Sequence, residues 1–212
     1  MFKSELEKCA NALAMKRILF IASLTVLFTF DAWSQTDDLT SFNTDRLQVN
    51  KIGMIVLGSW ALGNMGTNAA LLRNPSSAEQ GHFYRMNIFW NVVNLALAVP
   101  GLRHSLITDS ASLSMAETLS EYHQMGKVLI FNAGLDIAYI TGGFLLKEMA
   151  KTREKKRDIM TGYGRSLILQ GGFLLAFDIV LFTVLQTKNS RLLNLLSNVN
   201  IDGNGIGLAL KF

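Results

Sequence analysis

The sequence predicts an all-α membrane protein, a four-helix up-down-up-down transmembrane bundle following a signal peptide. Half of the 212 residues are hydrophobic and only 17% are charged, against about 25% charged in an ordinary soluble domain. Four apolar segments succeed one another at 51–72, 83–100, 126–146 and 166–187, each near the roughly 17–25 helical residues that cross a bilayer core. Met15 to Gln35 has the layout of a secretory leader. Met15-Lys16-Arg17 is a charged start, Ile18 to Phe30 is apolar, and Ala32-Trp33-Ser34 offers a small-x-small cleavage site.

These features divide the chain into an upstream extension (1–14), a signal peptide (15–34), a helical bundle (35–190) and an extracytoplasmic tail (191–212). Translation can start at Met1 or Met15, and residues 1–14 can also be read as a short cytoplasmic helix. The single cysteine, Cys9, precedes the leader, so no disulfide forms within one mature chain.

The connections carry their own punctuation. Asn74-Pro75-Ser76-Ser77 stops the first helix, and Ser76 with Glu79, or Ser77 with Gln80, can cap the second. Pro100-Gly101 is expected to end that second helix. Ser114 and Glu117 form a capping box, so the third helix should begin well before Gly126. Alternating charges from Glu148 to Asp158 suggest that it continues beyond the membrane, and Thr161-Gly162-Tyr163-Gly164 is expected to break it. In the tail, Asp202-Gly203 and Asn204-Gly205 are turn signals, and Ile206, Leu208, Leu210 and Phe212 alternate like a strand. Barrel strands alternate throughout; the four long segments do not.

Two arguments give the same topology. A cleaved leader puts Gln35 outside the cytoplasm, and four spans then leave loops 73–82 and 147–165 inside. The second loop holds Lys147, Lys151, Arg153, Lys155, Lys156, Arg157 and Arg165, as the positive-inside rule requires. The expected location is a bacterial inner membrane, with both mature termini periplasmic. Net charge is +4, but the basic residues cluster in this loop, so no nucleic-acid partner is implied. Lys155, Lys156 and Arg157 are instead candidates for anionic lipid headgroups.

Polar residues recur inside the apolar segments. Asn87, Asn91 and Asn94 share one face of the second helix, Asn64 and Asn68 one face of the first, and Asn132 and Asp136 one face of the third; Asp178 lies in the fourth. A rise of about 1.5 Å per residue puts Asn94 level with Asp136, and Asn132 level with Asp178. Asn64, Asn87, Asn91, Asn94, Asn132, Asp136 and Asp178 are therefore read as an intramembrane polar face. It serves either interhelical hydrogen bonding or a polar path. Small residues four apart (Ser59, Gly63, Thr67; Gly134, Ala138, Gly142; Gly172, Ala176) suggest close helix packing inside the bundle, or a dimer face. Lys51–Gly58 aligns with Lys127–Gly134, a faint sign of duplicated hairpins.

No catalytic constellation is present, and no cofactor is implied. His104, Glu121 and His123 flank one loop and come nearest to a metal set, without the spacing of a zinc helix. The string from Phe42 through Lys51 to Ala61, with Phe83-Tyr-Arg-Met-Asn-Ile-Phe-Trp-Asn-Val-Val-Asn94, resembles a family of small Bacteroidetes four-helix membrane proteins. The resemblance extends over about residues 40–187, supports the architecture and carries no activity. The expected function is a non-enzymatic membrane component that binds a lipid, a protein partner or a second copy of itself. The alternatives are a small oligomeric transporter or channel with an Asn/Asp interior, and a membrane metal protein or enzyme using His104, Glu121 and His123.

Overall fold

A computed structural model describes residues 38–197 and the backbone of 200–202 and 205–207. The leader and the extension before it lie outside the described residues. Four long helices make up the fold: α1 (helical over 38–71), α2 (Ala78–Ile107), α3 (Met115–Ala150) and α4 (Arg157–Gln186). A short helix, α5 (Asn189–Ser197), follows, and Asn200–Asp202 pairs antiparallel with Gly205–Gly207. Among the described residues only α3 and the helical stretch Glu154–Ser197 are long and apolar enough to cross a membrane by length and composition. Of the four expected spans, α1 and α2 fall short. Asn64, Asn68, Asn87, Asn91 and Asn94 dilute their apolar content.

Successive helices run up and down. Asn68 of α1 meets Asn87 of α2 near one connection, while Asn50 meets Ser105 near the other. α4 packs along both α3 and α2, whereas α2 and α3 barely touch. The bundle thus has α4 at its centre and a gap between α2 and α3. Two ends can be named: a basic end, with the 72–77 and 151–156 connections, and a far end, with the 108–114 connection.

Several caps follow the sequence. Ser77 accepts from the Gln80 amide at 3.2 Å. At α3 both halves of the expected box form: the Glu117 amide donates to Ser114 Oγ at 3.3 Å, and the Ser114 amide donates to Glu117 Oε2 at 2.9 Å. Other expectations are corrected. Pro100 does not end α2, which continues to Ile107. Asn50 Nδ2 of α1 donates to the Gly101 carbonyl at 3.2 Å and braces the turn after the proline. α3 stops at Ala150, a 3-10 turn spans Glu154–Lys156, and α4 runs unbroken through Thr161-Gly162-Tyr163-Gly164.

Those glycines serve contact rather than chain reversal. A Cβ at Gly162 would lie 2.5 Å from the Glu79 carbonyl oxygen, and one at Gly164 2.6 Å from that of Gly143. Gly143 is crowded in turn by the Gly164 carbonyl, and a Cβ at Gly171 would lie 3.0 Å from that of Asp136, so α3 and α4 approach nearly backbone to backbone. The stripes read as internal packing face outward instead: Ser59, Gly63, Thr67, Gly134, Ala138, Gly172 and Ala176 are exposed. A Cβ at Gly63, Gly134, Gly142 or Gly172 would meet nothing within 4 Å.

The apolar core sits at the far end, where Phe42, Tyr122, Leu185 and Leu192 pack together. The chain beyond residue 190, expected to be tail, therefore begins with a packed element. α5 buries Leu192 and Leu195 and is tied to α1 by Asp45, which receives Lys188 Nζ at 3.2 Å and Arg191 Nη1 at 3.1 Å.

Candidate functional site

Polar residues occupy the middle of the bundle as a connected set. Asn87 is fully buried, and its Oδ1 accepts from Gln170 Nε2 at 2.7 Å and from Ser166 Oγ at 3.0 Å. Its Nδ2 faces Asn68 Oδ1 at 3.5 Å, and Asn68 Nδ2 donates to the Asn64 carbonyl at 2.8 Å. Trp60 Nε1 donates to Gln170 Oε1 at 3.1 Å while its ring stacks on Phe173. Along α2, Asn91 Nδ2 donates to the Asn87 carbonyl and Asn94 Nδ2 to Asn91 Oδ1. The i, i+4, i+7 spacing of the three asparagines dictates this, since it keeps them on one face. The network fills the bundle toward its basic end.

Above this floor lies a cavity of about 590 Å³. Most of its wall is apolar, from residues such as Met54, Leu57, Leu129, Leu174, Phe177 and Leu181. Val93 and Leu97 of α2 and Val128 and Leu135 of α3 line it too, yet are exposed on the outer surface; Leu97 is 58% exposed. These four residues frame a side opening in the gap between α2 and α3. Trp90 and Tyr139 close its lower end, with ring centroids 4.7 Å apart.

At the inner end Asp136, 2% exposed, and Asp178, 4% exposed, come together with their carboxyl groups within hydrogen-bonding reach. Asn94 and Asn132 line the same space. Asp136 Oδ2 and Trp90 Nε1 are buried without a hydrogen-bond partner among the described residues. Buried polar groups nearly always have partners, so orphaned atoms on a cavity wall mark places where a ligand can supply them.

At the far end Arg46, 4% exposed, sets Nη2 2.6 Å from Glu121 Oε2. The approach is too oblique for a good hydrogen bond, and Arg46 Nε is left without an acceptor. His104 Nε2 lies 3.6 Å from the same Glu121 oxygen. The three residues nearest to a metal set do not converge: His104 and Glu121 line the cavity, whereas His123 faces a separate surface depression beside Leu119 and Lys127. Positions 121 and 123 point to different sides of a helix. Among the described residues no three His, Cys, Asp or Glu side chains are placed to hold a metal.

The residues of the expected polar face thus divide in two. Asn64, Asn87 and Asn91 belong to the floor; Asn94, Asn132, Asp136 and Asp178 line the cavity. Axial level pairs Asn94 with Asp136 and Asn132 with Asp178, whereas the structure joins the two aspartates directly. Arg46, Trp90 and Tyr139 did not emerge as site residues from sequence. Arg46 precedes the first apolar segment, and an aromatic residue in an apolar run carries no signal of its own.

A family model described as a family of unknown function (DUF6992) matches residues 56–179, and the chain belongs to that family. The match includes the floor network and both aspartates but not Arg46 or α5. No curated protein and no solved structure is detectably similar to the chain.

Proposed function

We propose that this family member is a non-enzymatic integral membrane protein that binds an amphiphilic small molecule, taken laterally from the bilayer into the cavity between its helices. The observation that carries this reading is the cavity itself: apolar walls, a side opening, and buried polar atoms of Asp136 and Trp90 left without partners. Largely pre-formed apolar cavities with a few convergent polar groups are the usual form of small-molecule sites.

Membrane residence is supported by the surface. Large apolar side chains are exposed along all four long helices, among them Leu62, Phe89, Phe131 and Val180. Only 17% and 22% of the most apolar windows of the two span-length helices are buried within the chain. A soluble core helix would be mostly covered, and exposed apolar patches of this extent demand a partner surface. In this reading the membrane is inner and bacterial, the basic end faces the cytoplasm, and the exposed Lys155, Lys156 and Arg157 contact anionic headgroups. Transport is the less favoured reading, because Asn87, Ser166 and Gln170 fill the route from the cavity to the basic end.

The test is fluorescence titration of the purified protein in nanodiscs with N-phenyl-1-naphthylamine, a neutral amphiphile. Saturable binding is expected. Val93→Trp combined with Leu135→Trp should weaken it at least tenfold without changing far-ultraviolet circular dichroism. Binding that never saturates, or that ignores the paired substitutions, would overturn the cavity reading.

A further inference from the structure

The charges around the cavity are not evenly placed. The titratable and charged side chains facing it are Arg46 from α1, His104 from α2, Glu121, Asp136 and Tyr139 from α3, and Asp178 from α4. Arg46 is ion-paired with Glu121 at the far end, with its Nε left unpartnered, and His104 faces the same carboxylate. Glu121 and Asp136 are fifteen residues apart on one helix, about 22 Å along its axis. The inner end therefore has two carboxyl groups and no basic side chain among its lining residues. Around those carboxyls stand the rings of Trp90 and Tyr139, the carboxamides of Asn94 and Asn132, and apolar walls.

We infer that the ligand is a lipophilic monovalent organic cation, seated between the Asp136–Asp178 pair and the Trp90 and Tyr139 rings, and that it binds in exchange for one proton held by the pair. The inference rests on the cavity reading above and deepens it. Aromatic faces attract organic cations, most strongly where water is excluded. A bare metal ion would leave most of a 590 Å³ apolar space unfilled. An anion at the inner end would meet carboxyl groups with no compensating charge, since Arg46 lies at the far end. Two carboxyl groups in hydrogen-bonding contact need one proton between them, because only a protonated carboxyl has an O–H to donate. When the cation enters, its charge replaces that of the proton. One O–H bond breaks, one proton leaves to water, and the site's net charge is unchanged.

Two probes of the same shape and opposite charge test this: tetraphenylphosphonium and tetraphenylborate, titrated into the full chain in nanodiscs by isothermal calorimetry. The phosphonium should bind at least tenfold more tightly than the borate. Titrations in buffers of different ionisation enthalpy should show one proton released per cation bound, and affinity should rise with pH by up to about tenfold per unit, the limit for exchange of one proton. Asp136→Asn and Asp178→Asn, each near-isosteric, should each lose at least tenfold in phosphonium affinity and flatten its pH dependence, with far-ultraviolet circular dichroism unchanged. Equal affinity for the two ions, or phosphonium binding that survives both substitutions without proton release, would overturn the inference and leave the cavity reading intact. If one variant does not fold, the other and the wild-type proton count decide. Failure of the wild type to bind the neutral probe as well would overturn both.

Discussion

Asn87 holds more of the bundle's polar interior together than any other side chain described. Its carbonyl oxygen takes two donors from α4, and its amide faces α1. The mean membrane hydrogen bond contributes only about 0.6 kcal/mol, which makes the direct loss small. Leaving buried donors unsatisfied costs more, about 1–3 kcal/mol. Asn87→Leu should therefore destabilise the protein by about that amount in a reversible SDS-unfolding titration. Adding Ser166→Ala and Gln170→Leu should recover part of it, because the orphaned donors go too. Asp136→Leu should behave differently. Its Oδ2 has no partner and its carboxyl meets only Asp178, which can stay protonated and neutral, so the folded state should survive with modestly changed stability while cation binding disappears. The two residues look alike in sequence, each a polar group in an apolar helix. What separates them is who faces them across the bundle, and single-chain periodicity does not report that.

At the scale of the helices, glycine positions give a clean contrast. A Cβ at Gly143 would sit 2.6 Å from a backbone oxygen of α4, while one at Gly134 meets open space. Gly143→Ala should cost about 1–3 kcal/mol as overpacking, whereas Gly134→Ala should be neutral or stabilise by up to about 1 kcal/mol through helix propensity. The same unfolding titration reads both. The cap of α3 adds a pH prediction outside the expected span 126–146. Hydrogen bonds from the Ser114 hydroxyl and amide hold the Glu117 carboxyl below its ordinary range. A depressed carboxyl stabilises the fold above its unfolded value, and that contribution fades as pH falls through the folded one. Glu117→Gln should flatten this acid-side dependence, measured as the unfolding midpoint against pH. Helix existence, the Ser77 and Ser114 caps and the asparagine face were legible because capping and periodicity are local. The passage of α2 through Pro100 and of α4 through Gly162 and Gly164 was not. A proline braced by Asn50, and glycines set by Glu79 and Gly143, depend on partners distant in sequence.

For the whole molecule, the order of the helices around α4 explains why a cavity exists at all. α3 and α4 close tightly on small residues and α4 also packs on α2, so the remaining space falls between α2 and α3. Sequence gave the contents of that space without its shape: four of the seven residues of the expected polar face line it, and the aspartate pairing follows from side-chain direction rather than level. The proposed orientation in a bilayer is testable on the same scale. A phosphatase that needs the periplasm should be silent when fused near Lys155 and active near Ala111; the reverse pattern would sink the topology.

α5 closes the far end by resting on Phe42 and tethering through Asp45, partners roughly 150 residues earlier in the chain. Synthesis runs from the N-terminus, so all four long helices emerge before the segment that roofs them. The unfinished protein passes through a stage in which the apolar cluster at its far end lacks the helix that completes it. Until α5 docks, Phe42, Tyr122 and Leu185 present an uncovered apolar surface, the kind to which other unfinished chains adhere.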